Sequence, residues 1–176
     1  MGESLGTPRA IIRYSGLFDF DGFYAAVIDW GKNHGYMWHE IDYKHKVPSP
    51  SGAEQEWKWR LMKDVNDFIN YDIQFIIHAY DLLDVEVEVE GRKKNLTKGR
   101  LYIWINGTVT YDWQSKFGGG KFAKWLGAFY AKRMNPEIAG YWDTLYYRIW
   151  SLQTIIKKYF QMQTTKHPYK EYLKED

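Results

Sequence analysis

The sequence predicts an α+β fold: an antiparallel sheet of about five to six strands packed against a long C-terminal helix, in the order β-α-β-β-β-β-β-α-α. Three observations carry this expectation. From residue 36 to residue 111, apolar and polar side chains alternate with period two, as in half-buried strands. The links between these stretches are short, which favours antiparallel neighbours, because a parallel crossover needs roughly a dozen residues or more. Beyond residue 136 the apolar residues step by four and three, the spacing of a helix seam.

Taken in order, Arg9 to Ser15 is a short apolar run and reads as a first strand. Asp19 then suits the cap of a helix reaching about Asn33, with Phe18 and Phe23 at the positions of a hydrophobic staple. Gly35 suits its left-handed stop. In the sheet, Met37, His39, Ile41, Tyr43 and His45 share a face in the first stretch. Trp57, Trp59 and Leu61 alternate with Glu56, Lys58 and Arg60 in the second. Ile69, Tyr71, Ile73, Phe75, Ile77 and Ala79 form a third inward set, and Val85, Val87 and Val89 alternate with Glu86, Glu88 and Glu90. Leu101, Ile103, Ile105, Val109 and Tyr111 complete the sheet. A helix is expected over Gly120 to Arg133. After Asn135-Pro136-Glu137, which reads as a cap, first-turn proline and early acid, a longer one follows to about Met162. Its seam is Ile138, Trp142, Leu145, Ile149, Leu152, Ile156 and Tyr159.

The chain has 176 residues and 21.0 kDa, the size of one domain. Residues 1–8 are expected to be a flexible N-terminus, 9–163 a single α+β domain and 164–176 a polar tail. With 24 Lys+Arg against 22 Asp+Glu, the net charge of +2 argues against nucleic acid as a partner. Residues 1–115 hold 13 basic and 17 acidic side chains, whereas 116–176 hold 11 and 5, so the C-terminal part is the basic one. Absence of cysteine excludes disulfides, thiol catalysis and cysteine-ligated zinc. Met1 to Pro8 lacks the apolar core of an export signal, which favours a cytoplasmic location. The longest apolar run, Trp125 to Ala131, is far short of the ~20 residues of a transmembrane helix.

The order of elements resembles the helix-grip architecture of START-like and pollen-allergen-like proteins, in which a curved sheet wraps a C-terminal helix. That resemblance is one of order alone and implies no function. Separately, Leu17-Phe-Asp-Phe-Asp-Gly22 resembles the first motif of haloacid-dehalogenase-type phosphatases. The resemblance implies Asp19 as the nucleophile of an aspartyl-phosphate and Asp21 as the residue that handles the leaving-group proton. Phe23 departs from it, because the family usually has Thr or Val there. The family also needs a parallel βαβ sheet. Asp81 and Asp84 are the acids available downstream for magnesium, and Lys63 the available phosphate lysine. The local alternative is that Asp19 and Asp21 serve a helix start.

Other motifs weaken on inspection. His34, His39 and His45 lie near Glu40 and Asp42, but six strand residues separate His39 from His45 by ~20 Å, so no metal site is expected. Phe117-Gly-Gly-Gly-Lys121 lacks the first glycine and the Ser/Thr of a phosphate-binding loop. Arg92, Lys93, Lys94, Lys98 and Arg100 crowd one hairpin, where Glu86, Glu88 and Glu90 offer cross-strand partners. No catalytic constellation stands out, and no cofactor is implied.

What remains is an aromatic excess: nine Trp, fifteen Tyr and nine Phe, more than one modest core needs. Trp38, Tyr80, Tyr102 and Trp104 fall on expected outward faces and are the candidate partner surface. The first functional expectation is therefore a non-catalytic protein that binds another protein, or itself, within an assembly. The alternative is a carrier of a small hydrophobic ligand held between sheet and helix, lined by Trp57, Trp59, Tyr71, Phe75, Trp142 and Ile149. If helix 120–133 instead covers the second sheet face, the aromatics are ordinary core.

Overall fold

A computed structural model describes residues 3–49, 52–89, 92–114 and 135–162, together with 125, 129 and 133. The elements are β1 (Glu3–Gly6), β2 (Ala10–Phe18), α1 (Phe20–Asn33), β3 (Met37–Ser49), β4 (Gly52–Asp64), β5 (Ile69–Val89), β6 (Arg92–Tyr111) and α2 (Asn135–Tyr159). The shorter helix expected over 120–133, the glycine run at 117–121 and the tail from 164 lie outside the described residues, apart from Trp125, Phe129 and Arg133.

The six strands form one sheet in the order β1-β6-β5-β4-β3, with β2 also on β6, and every pairing is antiparallel. The expected α+β architecture with its long C-terminal helix is the one observed. Residues 3–6, expected to be flexible, pair with Thr108–Tyr111 instead. A four-residue strand is too short to show alternation, and its ladder is supplied by residues about a hundred positions further along the chain.

Local chemistry sets the ends of α1. Asp19 accepts the Gly22 N–H at 2.9 Å, the side-chain cap that satisfies a first-turn donor. At the other end Gly35 has φ +74°, and Tyr36 and Gly35 donate to Gly31 O and Lys32 O at 2.8 and 3.0 Å. Those two bonds make a Schellman close, which glycine adopts without a Cβ penalty. Between β4 and β5, the Asn66 carboxamide accepts from Phe68 N and Ile69 N at 2.8 and 2.7 Å and sets the turn.

One face of the sheet is core. The inward sets of β5 and β6, from Ile69 to Ala79 and from Leu101 to Val109, are almost wholly buried, as are Phe23 and Val27 of α1 and Leu145, Ile149, Leu152 and Ile156 of α2. The α2 seam lies on this face, with Leu145 and Ile149 close over Gly107 of β6. Phe160, after α2, meets Phe18 and Phe23 at 5.9 and 5.2 Å.

Two bulges re-aim side chains that unbroken alternation puts elsewhere. In β3 the register slips between Glu40 and Asp42, leaving Ile41 unmatched. Trp38 therefore lies opposite Leu61 on the helix face, and so do Tyr43 and His45, opposite Trp57 and Gln55. Met37 and His39 stand on the outer face, so the shared face expected for 37–45 is divided. In β5 the slip falls between Tyr80 and Leu83, where Asp81 has φ +55°.

Candidate functional site

The outer face of the sheet, opposite the helices, divides into two halves of different chemistry. Across β3, β4 and the near edge of β5, charges are spent on one another. Arg60 grips Asp72 through two bonds of 2.9 and 2.8 Å, and Asp72 is 7% exposed. Asp42 receives Lys58 at 3.3 Å and Lys44 at 3.5 Å, and Lys58 holds its carboxyl below the usual range. Lys46 meets Glu54 at 2.7 Å.

Across β5, β6 and β2 the face is aromatic. The register sets Arg13, Tyr102 and His78 in one transverse row, and Ile11, Trp104 and Ile76 in the next. Tyr80 meets Tyr102 edge to face at 5.9 Å, and His78 lies 5.7 Å from Trp104. These rings and Arg100 border a shallow depression of about 360 Å³. Over the rings lie three guanidinium groups: Arg9 on Trp104 at 5.3 Å, Arg13 on Tyr102 at 5.5 Å and Arg100 on Tyr80 at 5.8 Å. Arg100 is ion-paired with Asp81 at 2.6 Å. Arg9 bonds only the neutral Asn106 carboxamide, at 3.1 Å, and among the described residues neither Arg9 nor Arg13 meets a carboxylate. Ile11, Leu17 and Leu83, each two-fifths to one-half exposed, fringe the patch.

Three of the four aromatics expected to form a partner surface, Tyr80, Tyr102 and Trp104, are thus neighbours. Trp38 is not among them. The β3 bulge keeps it on the helix face, edge-on to Tyr24 at 5.4 Å and 6.5 Å from Trp59. Sequence reasoning missed Arg9, Arg13 and His78. Arg9 and Arg13 sit ninety residues from the rings they cover, and only the β2–β6 pairing brings them there.

The six residues expected to line a sheet–helix cavity are placed differently. Trp59, Tyr71, Phe75 and Ile149 are at most 1% exposed and belong to the packed core. Tyr71 also donates to Tyr141 O at 2.9 Å, and burial pushes its phenol up to about 12. Trp142 donates its indole N–H to Gly6 O at 3.0 Å and stacks on Tyr146. Trp57, stacked on Phe20 at 4.5 Å, borders a second cleft of about 340 Å³ at the end of the helix face, together with Asp21 and Asp84.

Asp19 is committed to structure. Lys94 at 2.8 Å and the Gly22 N–H hold its carboxyl below the usual range. Asp81 is engaged with Arg100, and Lys63 donates to His34 O at 2.6 Å. Of the residues that the phosphatase resemblance singles out, Asp21 and Asp84 therefore share the second cleft, whereas Asp19, Asp81 and Lys63 are committed to Lys94, Arg100 and the His34 carbonyl. The basic hairpin is likewise occupied, with Lys93 on Glu86 at 2.6 Å and Lys94 on Asp19. Among the described residues, no three His, Asp or Glu side chains gather as metal ligands. No helix among them is long and apolar enough to cross a membrane. Compared with known proteins, the chain matches no protein family and no curated sequence.

Proposed function

We propose that this protein is a non-catalytic binding protein that engages another protein through the outer face of its sheet, at Tyr80, Tyr102 and Trp104. The observation that carries this reading is the pair of guanidinium groups, Arg9 and Arg13, laid on aromatic rings with no carboxylate partner among the described residues. Tryptophan, tyrosine and arginine are the side chains on which interface energy concentrates, and their apolar fringe here suits a desolvated centre. A cation–π contact contributes roughly 0.5–1 kcal/mol when exposed and about twice that or more once water is excluded. Covering this face would therefore strengthen contacts that already exist.

Charge selects the partner. Arg9 and Arg13 call for carboxylates, and the rings for planar or apolar groups, so the fitting surface is acidic and aromatic. Single-stranded nucleic acid offers negative charge and planarity too. It fits less well, because guanidinium groups already occupy ring faces that bases would stack on, and Asp42, Glu54, Glu56 and Asp72 stand on the adjoining half of the face.

A random copolymer of glutamate and tyrosine is a direct probe, with oligothymidylate as the nucleic-acid control. The copolymer is expected to bind saturably by calorimetry, and Arg13→Glu combined with Trp104→Ala to weaken it by about tenfold or more. Binding of the oligonucleotide alone, or copolymer binding that ignores the double variant, would overturn the reading.

A further inference from the structure

The second cleft lies on the opposite side of the sheet and has its own chemistry. It opens between the β2–α1 junction, β4 and the paired stretch of β5 and β6 around Asp84 and Thr97, and encloses about 340 Å³. That volume falls in the range of small-molecule sites. Phe18, Phe20 and Trp57 make an aromatic wall, with Phe20 and Trp57 stacked at 4.5 Å. Asp21 and Asp84 border the same space. Asp84 accepts only a hydroxyl, from Thr97 at 3.3 Å, and among the described residues neither acid has a cationic partner. His45 of β3 also lines the cleft, its Nδ1 3.0 Å from the Gln55 Nε2, and the nearby Lys94 is held by Asp19 at 2.8 Å.

We propose that this cleft binds a small organic ammonium ion, whose alkyl shell lies against the aromatic wall while Asp21 and Asp84 balance its charge. The alternatives fail on chemistry. A divalent metal needs a cage of ligands, and among the described residues no three His, Asp or Glu side chains gather to supply one. An anion meets two carboxylates. A neutral apolar molecule fills the wall but strips water from two acids with nothing in return. An ammonium ion carrying methyl or methylene groups satisfies both halves of the lining, because aromatic faces and carboxylates attract the same charge.

The proposal is independent of the outer-face reading and is tested separately. Choline is the probe, and neohexyl alcohol, its carbon isostere without the charge, is the control. Two-dimensional nitrogen–proton NMR of the Trp57 indole and Gln55 carboxamide follows both titrations. Choline is expected to shift these signals saturably, and neohexyl alcohol to leave them in place. Asp21→Asn and Asp84→Asn are expected to weaken choline by about fivefold each. Both acids are exposed, so these variants keep the fold. Asp29→Asn, an exposed acid on the same helix outside the cleft, is expected to change nothing. No saturable choline shift, an equal response to the neutral isostere, or an equal loss in Asp29→Asn would each overturn the proposal.

Discussion

Asp19 joins three parts of the chain: it caps α1 through Gly22 N, and its ion pair with Lys94 ties the β2–α1 junction to the β6 arm of the long hairpin. Asp19→Ala removes the cap and leaves Lys94 without its carboxylate, at an expected cost of about 1–2 kcal/mol in urea unfolding at neutral pH. The sign of the pH dependence follows from the lowered carboxyl. Its contribution is complete above the usual aspartate range and is lost as pH falls through the lower folded value, so the gap between wild type and variant should narrow in acid. Tyr71 behaves oppositely. Its phenol is raised to about 12 in the fold against about 10 in the unfolded chain, so stability should fall as pH climbs from 10 towards 12. Tyr71→Phe should flatten that alkaline limb, which unfolding curves at stepped pH would reveal. The Asp19 cap was legible in the sequence because a cap depends on residues three apart. The Tyr71 partner was not, because Tyr141 arrives from seventy residues away.

Among the elements, α2 and β6 meet at a glycine. A Cβ on Gly107 would run into the Ile149 Cδ1 and Leu145 Cδ2 methyl groups, so Gly107→Ala should cost about 1–3 kcal/mol by overpacking. Gly140 of α2 has open space around it, and Gly140→Ala should stabilise by about 0.5–1 kcal/mol, since alanine gives up less backbone freedom in a helix. Opposite shifts in the urea midpoint of these two variants check both statements. The α2 seam and the inward sets of β5 and β6 were readable because one face is buried along their whole length. The strand β3 was misread across Ile41 because period-two reading assumes an unbroken ladder, and a bulge has no composition of its own. That single unmatched residue puts Trp38 on the same face as Tyr43 and His45, and Met37 and His39 on the other.

Taken as a whole, the molecule spends its aromatic residues on both faces of one sheet. The helix face is filled by α1 and α2. The outer face is open among the described residues, with most of its ion pairs on β3, β4 and the near edge of β5 and its rings on β5 and β6, under Arg13 of β2 and Arg9 just before it. Alternation predicted that Tyr102 and Trp104 point outward, but it could not tell an open face from a covered one, because both read alike in a single sequence. Their energetic weight separates the two. Phe75→Ala, on the helix face, is expected to cost about 3–5 kcal/mol through lost burial and a cavity. Tyr102→Thr and Trp104→Thr, if these rings await a partner, should each cost only about 0.2–1 kcal/mol, the value of cross-strand neighbours on an open surface. Urea unfolding of the isolated chain makes the comparison. Small losses at both outer positions beside a large one at Phe75 are the predicted result. A loss at Trp104 as large as that at Phe75 would mean that the rings are interior, and that no partner surface exists there.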